Sequence, residues 1–198
     1  MEDCFWKNGV GFTCSQCSAC CRYESGFVFL YEKDIPPLLA ALQVDFTEFV
    51  HRYCRWVDLH DGYEYLSLTE TSSYDCILWN NGCSIYEARP LQCKAFPFWV
   101  SALQSLDAWL ATIAGCNACI QLYTEPAPIV SERKTADGGI YPAPLPQEQR
   151  ADNAPPRELP PGFPQAAVFF SPARIAEIRN EQLNSVKVKR LKRKTFFS

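Results

Sequence analysis

TCSQCSACCR, Thr13 to Arg22, places Cys14, Cys17, Cys20 and Cys21 within one short stretch. Whether these thiols are core side chains, disulfide halves or metal ligands decides what kind of fold the chain can build. The sequence holds eleven cysteines among 198 residues, and an odd number cannot all pair. The opening stretch MEDCFWKNG is acidic and polar, with no apolar signal region. No run approaches the roughly 18 apolar residues of a membrane-spanning helix. We therefore expect a cytoplasmic protein with no membrane association, where thiols stay reduced. In that setting clustered cysteines bind metal more often than they form disulfides.

Charge is uneven along the chain. The formal net charge is -3, which favours neither a nucleic-acid binder nor a membrane-surface protein. From Ala173 onward eight Lys/Arg stand against two Asp/Glu, while the preceding 172 residues carry 11 against 20. An acidic body precedes a basic tail.

The pattern around the cysteines predicts short elements. Gly26–Tyr31, GFVFLY, reads as a buried strand. Asp34 can open a short helix that tolerates Pro36 and Pro37 in its first turn. Asp45 is placed to cap a second helix, with Glu48 in capping-box position. Its stripe of Phe46, Phe49, Val50, Tyr53, Cys54 and Val57 has helical spacing, so Cys54 reads as core rather than ligand. His51 falls beside the stripe and His60 in a loop, and both are left out of the site. Tyr63–Thr69 alternates like a strand.

Asn81-Gly82 is a strong hairpin signal and would pair Cys76–Asn80 with Cys83–Glu87. A regular hairpin puts Cys76 and Cys83 on one face but four positions apart, about 13 Å. One ion could not take both. Either the hairpin is irregular or the two thiols serve different centres. Ala102–Ala114 approximates a helix with Leu103, Leu106, Leu110 and Ile113 as its stripe, and Gly115 follows as a natural stop. Cys116 and Cys119 come directly after. Ten of the fifteen prolines lie between Pro126 and Pro164, which reads as a linker or extended wrap. Val168–Phe170 is placed to dock back on the body. Pro172 starts a helix expected to continue through Lys187, Lys189, Arg190, Lys192, Arg193 and Lys194.

Thiolate is a soft ligand suited to zinc, copper(I) and iron–sulfur clusters. A C-x2-C unit lets two sulfurs approach one metal from a tight turn, and Cys14-x2-Cys17-x2-Cys20 extends this to three. That run also holds three corners of a 4Fe–4S cluster in bacterial ferredoxins. Adjacent Cys20 and Cys21 cannot easily point both sulfurs at one centre, so one of them faces a second centre or a second iron. Arg22, Arg89 and Lys94 stand near these thiols in sequence and could offset thiolate charge.

FTCSQCSACCR, then C-x6-CSIYEARPLQCKAFPFW, then Trp109-x6-Cys116 resemble the YkgJ-type cysteine-cluster proteins. The match runs roughly from Phe12 to Cys116. The resemblance implies a zinc- or iron-chelating domain, with metal thiols at Cys14, Cys17, Cys20, Cys21, Cys76, Cys83, Cys93 and Cys116. A similar cluster in flagellin lysine N-methylases implies an iron–sulfur centre and methyl transfer. Lys94 stands where the family usually has Arg. Where the family has Cys-Pro-Gly, this chain has Cys116-Asn117-Ala118-Cys119. Cys119 is then a ninth ligand or a replacement for Cys116, and eight thiols would suit two four-coordinate centres.

The expected fold is α+β: a small cysteine-rich, metal-stapled domain of short strands, helices and long irregular loops, with a Pro-rich linker and a C-terminal helix. We divide it into a cysteine-cluster metal-binding domain over 1–123, a linker or wrap over 124–170 and a basic helix or tail over 171–198. The expected cofactor is an iron–sulfur cluster, 4Fe–4S favoured, or Zn²⁺. Three roles follow. One is metal binding for structure or electron transfer. Another is a protein-modifying enzyme similar to the lysine N-methylase, against which stand the missing Gly-rich nucleotide loop and the scarcity of acid–base residues. The third is an adaptor whose basic tail contacts nucleic acid or an acidic protein partner.

Overall fold

The computed structural model describes residues 4–15, 17–116, 118–122 and 168–192. The Pro126–Pro164 stretch lies outside them. In chain order the elements are β1 (Val10–Thr13), β2 (Val28–Phe29), α1 (Ile35–Leu42), α2 (Phe46–Tyr53), β3 (Cys54–Asp58), β4 (Tyr63–Leu68), α3 (Leu91–Ala95), α4 (Leu106–Ile113), β5 (Cys119–Leu122), β6 (Val168–Phe170), α5 (Pro172–Asn184) and β7 (Lys189–Leu191). Helices and short antiparallel strands mix, so the fold is α+β. No helix of the described residues is long and apolar enough to cross a membrane. The chain forms two compact units: Met1–Cys17 with Val100–Asn180, and Ser18–Trp99 with Glu181–Ser198.

In the first unit β1 is the central strand, paired antiparallel with β5 on one side and β6 on the other. Val168–Phe170 thus docks as expected. Gly9 enters β1 at φ +90, and a Cβ there would stand 2.3 Å from the Phe169 ring. Glycine is required twice over, for its backbone angle and for the close approach. Val10, Phe12, Trp109 and Ile175 are buried. The helix expected over Ala102–Ala114 is broken at Ser105. A 3₁₀ turn covers Ala102–Gln104, and the Ser105 hydroxyl then caps α4 by accepting from Ala108 N–H. That cap rotates the buried face onto Trp109, leaving Leu106 and Leu110 exposed.

The second unit is built on β4. One edge of β4 pairs with β3 along its length, Cys54 opposite Leu68 through to Asp58 opposite Glu64. The other edge is shared end to end by β2 at Ser67 and Leu68 and by β7 at Tyr63 to Tyr65. At the handover three strands meet. Leu30 N–H donates to Leu66 O at 2.9 Å, Leu66 N–H to Val188 O at 2.9 Å, and Val188 N–H to Leu30 O at 2.8 Å. The inner face buries Leu30, Leu66 and Leu68 against Leu38, Phe49, Leu78 and Ile85. Each such side chain contributes roughly 1.5–3 kcal/mol on leaving water.

Two expectations are corrected here. The second helix stops at Tyr53, and Cys54 begins a strand. Asp45 caps the helix start by accepting from Glu48 N–H at 2.8 Å. Continuing it through Val57 would forfeit four of the five paired positions with β4. Cys54 is still packed against the core, through its partner Leu68 rather than through a helix stripe. The basic segment is not the end of a helix either. α5 stops at Asn184, and Val186-Lys187-Val188-Lys189 takes the alternation of a strand. Arg193 and Lys194 lie outside the described residues; the four described cations find partners inside this unit. Lys187 lies over the Phe29 ring and Lys189 over Tyr63, Arg190 pairs with Glu64, and Lys192 pairs with Asp58.

Candidate metal centre

The cysteine loop enters the second unit through Ser18, a non-glycine residue at φ 63. A 3₁₀ turn follows over Ala19–Cys21. The two adjacent thiols part here. Cys21 Sγ donates to its own loop, to Ser18 O at 3.2 Å, while Cys20 lies in the field of Cys76 and Cys93. The loop is stitched to a distant segment by Cys76 N–H donating to Cys21 O at 2.8 Å. Beside that bond Arg22 forms a two-point pair with Asp75, Nε donating at 2.9 Å and Nη2 at 3.4 Å.

The Asn81-Gly82 turn forms, but the hairpin is irregular. Both turn residues have positive φ, and the only bridge across the turn joins Trp79 to Cys83 among the described residues. Cys76 instead bridges back to Glu70, and Trp79 N–H donates to Cys76 O at 2.8 Å. The ladder therefore never extends far enough to separate Cys76 from Cys83. Both pack against the leucine core.

Cys93 sits on the short helix α3. The buried carboxylate of Asp34 fixes the start of that helix by accepting from Leu91 N–H at 2.8 Å and from Tyr31 N–H at 2.9 Å. Burial holds the Asp34 carboxyl above the usual carboxylate range, with those two N–H donors opposing. Sequence reasoning read Asp34 as an ordinary helix opener, and only the fold reveals that it serves α3.

Four thiols from three segments lie within electrostatic reach of one another. Burial pushes the Cys93 thiol well above its ordinary range, and Cys76, Cys20 and Cys83 add to the effect while Arg89 opposes it. Cys76 is raised chiefly by burial, then by Cys83 and Cys20, against a backbone N–H from Leu78. These are thiols that resist ionising unless a cation compensates them. Among the described residues no three His, Cys, Asp or Glu side chains close on a common point at ligating distance. The four share a field without converging.

The remaining candidates belong to the first unit. Cys14 follows β1, Cys17 lies three residues on, Cys116 closes the turn after α4 by donating N–H to Ile113 O at 2.8 Å, and Cys119 is the first residue of β5. Cys54 lies apart from both groups, and burial pushes its thiol up to about 12. His51 and His60 are exposed. Of the basic residues expected to offset thiolate charge, Arg22 is already paired with Asp75, and Arg89 is the one that acts on Cys93.

The donor chemistry fits a soft metal. Among the described residues, two buried polar atoms next to cysteines find no hydrogen-bond partner, Trp79 Nε1 and Ser15 Oγ. Metal-bound thiolate accepts from donors of this kind. Nothing in the sequence flagged Trp79 or Asp75, since their roles depend on contact with Arg22 more than fifty positions away.

A family model described as "Putative zinc- or iron-chelating domain" matches residues 13–117. An uncharacterized protein of Methanocaldococcus jannaschii is 29% identical over 98 residues, 48% of this chain and 49% of that protein. The chain thus spans about half the length of this curated relative. No solved structure matches.

Proposed function

The chain belongs to the CxxCxxCC family, and on that premise we propose that its second unit chelates metal through Cys20, Cys76, Cys83 and Cys93. The favoured occupant is a 4Fe–4S cluster with a structural or electron-transfer role. One observation carries this reading: Cys76 N–H donates to Cys21 O at 2.8 Å, which stitches the Cys20 loop to the Cys76–Cys83 segment, where both thiols pack against the leucine core with no histidine among them. An all-thiol set beside a leucine core selects soft metals over oxygen-loving cations. The buried indole N–H of Trp79 supports a cluster, whose sulfurs take donors of this kind. Zinc is the second reading, favoured by the same four-thiol count, which meets its tetrahedral preference.

In this reading Cys21 is a structural thiol held by Ser18 O. The metal stands in for protons that the buried thiols would otherwise keep, so binding and folding are coupled. The test is anaerobic purification followed by elemental analysis and a visible absorption spectrum, on the parent chain and on Cys83→Ser. Iron with inorganic sulfide and a broad visible absorption, lost in the variant, supports the cluster. Colourless protein holding zinc moves the assignment to the second reading. Metal content unchanged by Cys83→Ser overturns both.

A further inference from the structure

We propose that the second unit carries a binding face for single-stranded RNA on the outer side of its sheet. No cysteine takes part, so the proposal stands apart from the identity of any metal. Side chains alternate across a strand, and Leu66 and Leu68 point into the core. Tyr63 and Tyr65 therefore stand on the opposite face of β4. Phe29 pairs with Ser67 and so shares that face, as does Lys189, opposite Tyr65. The rings form one row. Phe27 and Phe29 stack with centroids 5.6 Å apart, and Phe29 meets Tyr65 edge-on at 6.2 Å. Lys187 Nζ lies 4.8 Å from the Phe29 centroid and 5.7 Å from that of Tyr65, and Lys189 Nζ lies 4.1 Å from that of Tyr63. The face is open at both ends of the row: Phe27 is 47% exposed, and Leu191, opposite Tyr63, is 73% exposed.

The occupant follows from the chemistry of the row. Rings interleaved with cations offer stacking surfaces to bases and ammonium groups to phosphates, the combination that binds single strands. A duplex hides its base faces, and a net charge of -3 gives no general attraction to its phosphates. The charge that matters is local. Among the described residues Arg190 pairs with Glu64 and Lys192 with Asp58, while Lys187 and Lys189 form no ion pair. Their ammonium groups rest on rings instead. A base stacked on an aromatic ring is worth more than an exposed lysine on it, so a lysine that moves to a phosphate gives its place over the ring to a base. The carboxylate beside the row favours RNA over DNA. Asp61 accepts from the Tyr65 hydroxyl at 2.6 Å and from Tyr63 N–H at 3.1 Å. An acceptor there serves a ribose 2′-hydroxyl, a donor that deoxyribose lacks.

The experiment uses the full chain as purified and a fluorescently labelled single-stranded RNA of mixed sequence, about 12 nucleotides long, with anisotropy as the readout. At low salt the Kd should be about 10 µM or tighter. Tyr65→Leu keeps an apolar cover over the sheet and should weaken binding about tenfold, as expected for one stacked base. Lys187→Gln combined with Lys189→Gln should weaken it too, and should flatten the slope of log affinity against log salt by about 1.4, the share of two phosphate contacts on a single strand. Arg52→Gln, on α2, which packs Phe49 against the inner face, should bind like the parent chain. Circular dichroism and metal content equal to the parent's show that each variant is folded. No binding by the parent chain at about 100 µM overturns the proposal. So does equal affinity for duplex RNA or for single-stranded DNA of the same sequence, and so does a folded Tyr65→Leu or double-lysine variant that binds like the parent. If Tyr65→Leu does not fold, the double-lysine variant decides, because its substitutions remove only charge from the face.

Discussion

The Cζ of Arg22 lies 3.6 Å from the centroid of the Trp79 ring. The same guanidinium pairs with Asp75 through two nitrogens. A stacked ring and a bidentate carboxylate together fix the guanidinium plane, and with it the loop carrying Cys20 and Cys21 against the segment carrying Cys76 and Cys83. Guanidinium geometry is needed for both contacts.

Arg22→Ala should weaken metal binding at the Cys20 set by about ten- to a hundredfold, the usual effect of losing a group that orients metal ligands. Arg22→Lys should not restore it, because an ammonium neither stacks flat nor forks. Competition with a chromogenic chelator measures this. Affinity equal to the parent chain in both variants would show that the loop holds its place without the clamp.

Trp79→Phe separates two demands on one side chain. Without metal, the variant removes a buried N–H that has no partner among the described residues, so stability should hold or rise by up to about 1 kcal/mol. With metal bound, the variant loses a donor to thiolate, and affinity should fall several-fold or the cluster potential should drop. Denaturant melts of metal-free and loaded protein check the pair of signs. The same sign in both states would remove Trp79 from the centre.

Cys54 should behave as a core side chain. With its thiol pushed up to about 12, almost none is thiolate at neutral pH, and alkylation of the folded protein should spare it. Cys54→Ser should cost about 1–3 kcal/mol by burying a hydroxyl, with metal stoichiometry unchanged. Peptide mapping after iodoacetamide and a urea melt read the two halves. Metal loss in Cys54→Ser would place this thiol in the centre.

Acid should loosen β7. The Lys192 side chain and the His60 backbone N–H hold the Asp58 carboxyl below its usual range. Its contribution is therefore present above the unfolded carboxylate pKa of about 3.9 and is lost as pH falls through the lower folded value. The pair is exposed and screened, so the effect is local fraying rather than global unfolding. Hydrogen exchange at Lys189–Leu191 between pH 5 and pH 3 should speed beyond the intrinsic pH dependence, and Lys192→Met should abolish the change.

The elements with strong local signals were legible in the sequence: the Asp45-capped helix, the β4 alternation, the Asn81-Gly82 turn and the docking of Val168–Phe170. The boundaries that tertiary pairing decides were not. Cys54 continues a helical period, and only the presence of β4 beside it makes strand the better state. Lys187–Leu191 follows a helix and is rich in helix formers, yet a vacant edge of β4 claims it. The cysteine spacing pointed to metal binding and raised the question of two centres. It could not show which segments meet, because that depends on contacts between distant parts of the chain, such as Cys76 N–H donating to Cys21 O at 2.8 Å.

The ring of backbone bonds among Leu30, Leu66 and Val188 carries a consequence for biosynthesis. Two of its corners leave the ribosome early, and the third lies far downstream; Arg190 and Glu64, in the same strand pair, are 126 positions apart. Until Val188 arrives, the Leu66 N–H and the Leu30 C=O face water along an open strand edge, and such edges recruit strands from other chains. The closing entropy of so long a loop grows only slowly with length, so the delay is one of time more than of free energy. Nascent chains should therefore pass through an interval in which the thiol loops are already made and the sheet that braces them is still one strand short.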